Sequence, residues 1–237
     1  MAVVTISRQY GSGGDEIANR VSAALGYRLF NKQMVDEAAR QSGIKVNQVL
    51  DISEDNYPVR TFLDRLFGSM ATGAMIGFGG ADGTFMLETD RMALDENSSF
   101  ELVKRAVTGA CDTGDLVVVG RGGQLLLKNE PCALHVRIEA PLEVRVQRVI
   151  ELLRQSKEPY LATVDVRREA QDRIERRDHA SAEYIKNFFH ARWDDPLHYH
   201  AVLNTGKITI DQAVQTVLYM ARELKLVEPP AGKAPQA

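Results

Sequence analysis

The chain has 237 residues, a formal charge of −3 and a pI of about 6.0, with 44% hydrophobic and 26% charged residues. These values allow a sizeable globular core, exclude wholesale disorder, and give no general nucleic-acid or membrane surface. The two cysteines, Cys111 and Cys132, stand in no metal or redox spacing. No apolar run nears the ~20 residues of a membrane span, and residues 2–6 (AVVTI) are too short for a signal-peptide core, so the expected compartment is the cytoplasm.

Ala2 to Ser7 is a β-branched run without alternation, as in a parallel strand buried on both faces. The turn Gly11-Ser12-Gly13-Gly14 follows, then Ile17, Ala18, Val21, Ala24 and Leu25 at helical spacing, with Gly26 to end the helix. Tyr27 to Phe30 is a second short strand, and Asn31 can cap a helix over Lys32 to Gln41 that Gly43 ends. Residues 44–67 give short helices broken at Pro58. Six glycines fall within 68–83, together with Met70, Met75, Ile76 and Phe78. That segment is either a flexible linker or a mobile flap over a substrate.

A helical pattern returns at 98–112. Leu116 to Val119 is a four-residue apolar strand that runs straight into Gly120-Arg121-Gly122-Gly123. Ala133 to Ile138 is another strand, and Pro141 opens a helix in the position proline prefers. A charged helical stretch spans 160–190. Tyr199 to Leu203 is the last strand, Asn204-Thr205-Gly206 a turn, and Ile210 to Leu224 the last helix. The tail 228–237 (EPPAGKAPQA) is expected to be disordered. Strands that alternate with helices predict a parallel sheet with helices on both faces, in one domain over 1–227. In such sheets ligands collect at the carboxyl ends of the strands, where the turns 8–14, 120–123 and 204–206 fall.

Strand, glycine-rich turn, then helix is the arrangement that wraps backbone N–H groups around an anion. The usual phosphate-loop pattern is G-x-x-x-x-G-K-[ST]. With Gly13 as its second glycine, Arg8 takes the place of the first, Gly14 that of the lysine and Asp15 that of the hydroxyl residue. Arg8 is the adjacent cation that can replace the missing lysine. Asp15 and Glu16 lie in the first helical turn, where carboxylates suit the helix dipole and where a magnesium ion would have to separate them from a triphosphate. The loop is either a phosphate cradle or a tight turn that satisfies its own amino end.

Ile6-Ser7-Arg8-Gln9-Tyr10-Gly11-Ser12-Gly13-Gly14 resembles the opening of the cytidylate-kinase-like family, in which the lysine is commonly missing. Val117-Val118-Val119-Gly120-Arg121-Gly122, Ala140-Pro141-Leu142-Glu143-Val144-Arg145 with Arg148, and Trp193-Asp194-Asp195-Pro196 with Tyr199 and Asn204-Thr205 resemble its later motifs. The resemblance runs over about 3–220, poorly over 45–95. It implies the three-layer P-loop kinase fold, with an acceptor-side insertion near 45–95 and a helical lid near 160–190. The implied reaction transfers the γ-phosphoryl group of ATP, with Mg2+, to a small acceptor, a nucleoside monophosphate such as CMP; the alternatives are a non-catalytic nucleotide-binding regulatory module and a kinase of a non-nucleotide metabolite. In the family's Asp-x-x-Arg-x-x-Tyr element Asp178 and Tyr184 match, whereas Ser181 stands in place of arginine.

Phosphoryl transfer needs positive charge around its transition state, and arginine pairs bidentately with phosphate oxygens. Arg8, Arg121 and Arg177 are therefore candidate catalytic residues, and the resemblance adds Asp178 through the lid element. Gly11, Ser12, Gly13, Gly14, Arg145, Arg148, Asn204 and Thr205 are the candidate ATP and phosphate ligands. By the resemblance Asn31 and Gly120 lie beside the acceptor, and Asp15 and Glu16 are the candidate metal ligands. Solvated helix surface is the alternative for Arg145 and Arg148, a helix cap for Asn31, and a plain turn for Asn204-Thr205.

Overall fold

A computed structural model describes residues 2–30, 34, 96–156 and 165–224. Asn31, the segments 35–95 and 157–164 and the tail lie outside the described residues; of the expected helix over 32–41 only Met34 is described, and it is helical. Five parallel strands form one sheet: β1 (Val3–Arg8), β2 (Arg28–Leu29), β3 (Leu116–Val119), β4 (Ala133–Glu139) and β5 (Ala201–Asn204), in the order β2-β3-β1-β4-β5. Among the described residues the helices, besides that at Met34, are α1 (Gly14–Leu25), α2 (Glu96–Asp112), α3 (Gly123–Leu126), α4 (Leu142–Ser156), α5 (Val166–Phe189) and α6 (Ile210–Leu224).

Each central strand is apolar on both sides because each side meets helices. Val4, Ile6, Val117, Leu134, Val136 and Ile138 pack with Ile17, Ala18 and Val21 of α1 and Ala213, Val214, Val217 and Leu218 of α6. Val3, Leu116, Val118 and Ala133 pack with Leu102, Val103, Ala106 and Val107 of α2. Three layers result. Toward the carboxyl ends the second face turns polar: Thr5, Ser7, His135 and Arg137 are buried there. The register sets Thr5 against His135 and Ser7 against Arg137, so an alternation of two residues carries both polar pairs onto one face.

Two differences from the sequence reading have a local cause in the structure. β5 starts at Ala201 rather than Tyr199, because Asp195 caps a 3-10 turn over Pro196–His198 and its side chain accepts from Leu197 N at 3.0 Å. The glycine turn after β3 continues into the one-turn helix α3, which the glycines masked. α5 is continuous from Val166, with Asp165 as a side-chain N-cap. No helix among the described residues is long and apolar enough to cross a membrane.

Candidate phosphate loop and its neighbouring cleft

β1 ends at Arg8, and the chain turns through Gly11 and Gly13, at φ 79 and 85, into α1. Glycine tolerates that left-handed backbone without the steric cost of a Cβ. Gly13 is the N-cap of α1 and supplies no side-chain cap, so the N–H groups of the first turn keep their capacity for an external anion. The Ser12 hydroxyl is buried without a partner, an orphan that a phosphate oxygen would satisfy.

Arg8 occupies the space beside Gly14. A Cβ at Gly14 would overlap Arg8 Cβ and stand 2.7 Å from Arg8 Cγ. The arginine stem thus fills the space above residue 14 that a lysine stem would need. Its Nε donates to Asp15 Oδ1 at 2.9 Å. Glu16 pairs with Arg20 at 3.2 Å, and Arg20 also pairs with Asp211.

Neighbouring elements fix the loop. Arg148 donates to Ser12 O at 2.9 Å, to Thr205 Oγ1 at 2.9 Å and to Thr205 O at 3.0 Å, and Thr205 Oγ1 donates to Ser12 O at 2.6 Å. Asn204 accepts from Gly206 N at 2.9 Å, which closes the turn after β5. Arg145 donates to Tyr10 O at 3.3 Å and pairs with Asp178 Oδ2 at 2.5 Å, while Asp178 Oδ1 accepts from Tyr10 N at 2.8 Å. The Arg177 guanidinium lies over the Tyr10 ring, 4.3 Å from its centroid. Arg145 and Arg148, expected at the phosphates, therefore spend these donors on the loop backbone, Thr205 and Asp178.

At the end of β3, Gly120, Arg121 and Gly122 take φ 63, 61 and 66 in succession. For arginine a left-handed backbone costs ~1–2 kcal/mol, and such strain clusters at working sites. Gly120 N donates to Ile6 O at 3.0 Å, so this turn sits beside the loop's β1 stem. A Cβ on Gly122 would overlap the Phe189 ring.

A cleft of ≈ 710 Å³ opens between the loop residue Gln9, the carboxyl half of α5 and the segment 190–194. Its floor is Arg137 and Trp193; Asp178, Glu183 and Lys186 contribute from α5. Arg137 is 2% exposed, pairs with Glu139 at 2.6 Å, donates to Trp193 O at 2.9 Å and stacks 4.3 Å from the Trp193 centroid. Trp193 Nε1 and Tyr199 Oη donate to Ser7 Oγ at 3.0 and 3.3 Å. The sequence reading placed Trp193 within a family motif and passed over Arg137. The available signal was His135, Arg137 and Glu139 at every second place in an otherwise apolar strand.

At the other end of that face, Thr5 Oγ1 and His135 Nδ1 lie 2.8 Å apart, and His200 Nδ1 accepts from His135 N at 2.9 Å. Burial, then the neighbouring His200, push the His135 imidazole down to about 4. No group of three or more metal-ligating side chains occurs among the described residues. Of the residues singled out for metal, Asp15 and Glu16 are both exposed and pair with Arg8 and Arg20.

The sequence profile of the cytidylate kinase-like family matches residues 3–207. No curated protein matches the chain. Among solved structures, an uncharacterized protein from Eubacterium ventriosum ATCC 27560 aligns with a TM-score of 0.59 at 16% identity, over 94% of this chain and 99% of that one. A gluconokinase from Sinorhizobium meliloti 1021 aligns at 0.45 and 9% identity, over 94% and 93% of the two chains. A shikimate kinase from Acinetobacter baumannii aligns at 0.42 and 13%, over 96% of each chain.

Proposed function

This chain belongs to the cytidylate kinase-like family, and from that premise we propose that it transfers a phosphoryl group from ATP to a small acceptor bound beside the loop 8–14. The observation that carries the reading is the arginine stem of Arg8 lying over Gly14 at an uncapped helix amino end. A cation, oriented N–H groups and the orphan Ser12 hydroxyl converge there, and they fit a polyphosphate. Bound at this loop, ATP supplies the γ-phosphoryl group and magnesium neutralises part of its charge.

The chain's own groups would then bind and orient. Gly11, Gly13 and Gly14 offer backbone donors, Ser12 its hydroxyl, and Arg8 supplies the charge of the missing lysine. Asp15 and Glu16 would hold magnesium, a hard cation content with one or two carboxylates beside phosphate oxygens. Arg121, fixed by the sheet, and Arg177, stacked on Tyr10, would stabilise transition-state charge with little reorganisation. Asn204 and Thr205 would border the base of ATP. The acceptor, a nucleoside monophosphate such as CMP, would lie toward Gly120 and Asn31.

One observation favours a second reading. Arg8 already pairs with Asp15, which weakens its field at the loop and suits a regulatory nucleotide-binding module without turnover. A coupled ATP-consumption screen over nucleoside monophosphates and hydroxylated metabolites separates the two. Acceptor-dependent ADP release supports the kinase; ATP binding by calorimetry with no turnover on any acceptor supports the module. Arg8→Ala should weaken ATP binding by about 1.5–3 kcal/mol, the range for a charge-assisted hydrogen bond. Unchanged affinity in the folded variant removes Arg8 from the site.

A further inference from the structure

We infer that Asp178 is a positioning residue that couples α5 to the phosphate loop, so that occupancy of the cleft and nucleotide binding are linked through its carboxylate. The inference rests on the reading of 8–14 as a nucleotide site. Its two oxygens do two jobs: Oδ1 accepts from Tyr10 N at 2.8 Å, and Oδ2 pairs with Arg145 at 2.5 Å. Arg145 returns to the same residue through Tyr10 O at 3.3 Å. Tyr10 is therefore gripped at both backbone polar groups, and its ring is covered by Arg177 from the adjacent position on α5.

The grip is not explained by stability alone. Arg145 is 8% exposed and leaves Nε buried without a partner. Burying such a donor costs about 1–3 kcal/mol, so the pair is a poor way to gain folding energy. What it does is fix where the loop begins. Gly11 follows directly, and a Cβ there would meet Val149 Cγ2 at 2.9 Å and Arg145 O at 3.0 Å, so α4 walls the loop closely at that point. With α4 as a wall, the remaining freedom of Tyr10 lies along its bonds to α5.

Asp178 also lines the cleft, with Glu183 and Lys186 further along the same helix. A ligand that enters the cleft and shifts α5 moves the Asp178 carboxylate, and with it the loop. By linkage, a nucleotide that fixes the loop fixes α5 and the cleft wall.

The test compares Asp178→Ala, which removes both bonds, with Asp178→Asn, whose amide oxygen still accepts from Tyr10 N–H but which loses the ion pair. Three quantities are read: amide hydrogen exchange at 9–13, affinity for a fluorescent ATP analogue, and melting temperature. Asp178→Ala should speed exchange at Tyr10 and weaken nucleotide binding about tenfold or more, while nucleotide no longer slows exchange along 178–189. Asp178→Asn should keep the Tyr10 amide protected and recover part of the affinity. A purely structural role would lower the melting temperature and leave the affinity of the folded protein unchanged; that result overturns the inference alone. Failure of the unaltered protein to bind nucleotide overturns the proposed function and this inference with it.

Discussion

Gly14→Lys, which writes the usual phosphate-loop lysine back into the sequence, should damage this protein. The new Cβ would overlap Arg8 Cβ, stand 2.7 Å from Arg8 Cγ, and approach Ile138 Cβ at 3.4 Å. Arg8 and Gly14 both lie in regular structure, the last residue of β1 and the first of α1, so neither backbone can step aside cheaply. Overpacking of this kind costs about 1–3 kcal/mol, and two fixed Cβ positions put this case at the upper end. For a chain of this size that is roughly 5–10 °C in melting temperature. Arg8→Ala should not rescue it, because alanine keeps the offending Cβ. Arg8→Gly should, and the pair Arg8→Gly with Gly14→Lys should couple by more than ~1 kcal/mol in a double-mutant cycle. Thermal unfolding gives stability, and ATP-analogue titration shows whether the double variant binds nucleotide as the parent does. A Gly14→Lys protein as stable as the parent, or one rescued equally by Arg8→Ala, refutes the argument that one side chain occupies the space of the other.

Arg121→Lys keeps the charge but loses the planar fork, so turnover should fall at least about tenfold, ~1.4 kcal/mol in barrier, with little change in melting temperature. Arg121→Gly should likewise hold its melting temperature, since φ 61 suits glycine better than arginine; activity that merely follows the folded fraction would count against a role at the phosphates. Ser12→Ala removes a buried hydroxyl with no partner, and should leave the nucleotide-free protein as stable or up to about 1 kcal/mol more so while weakening nucleotide binding; calorimetry of both quantities checks it. His135 is held near 4 in the fold against 6.5 in the unfolded chain, so the unfolded chain binds more protons between those values and stability falls as pH drops through that window. Urea unfolding at pH 7 and pH 5 should differ by about 2 kcal/mol from this group, and His135→Gln should flatten the difference.

Local patterns carried much of the fold. Gly26 and Pro141 mark helix ends in the sequence, and α1 and α4 stop and start beside them. The runs at 116–119 and 133–138 are strands because burial on both faces demands unbroken apolar residues. The loop 8–14 was legible for the same reason, as glycines between a strand and a helix. The bonds among distant residues were not. Ser7 meets Trp193 across 186 positions, and Asp178 meets Tyr10 across 168. No periodicity relates such partners; only the parallel register and the path of α5 bring them together. Arg145 and Arg148 show the limit most clearly. Spacing put them on one helical face, but it could not tell a phosphate from the carbonyls of Tyr10 and Ser12 as the group they reach.

Trp193 is the only tryptophan in the chain, and its ring lies against the Arg137 guanidinium at the floor of the cleft. The protein thus carries a single built-in fluorophore at the floor of the cleft beside the loop. Its emission depends on the guanidinium beside it and on how far solvent reaches the buried ring. A molecule that fills the cleft alters both; one that occupies only the phosphate loop acts on them indirectly, through Ser7 and Gln9 at the loop's stem or through α5. Stepwise addition of two ligands, followed at one excitation wavelength and without any attached dye, would therefore report the order in which the two sites fill.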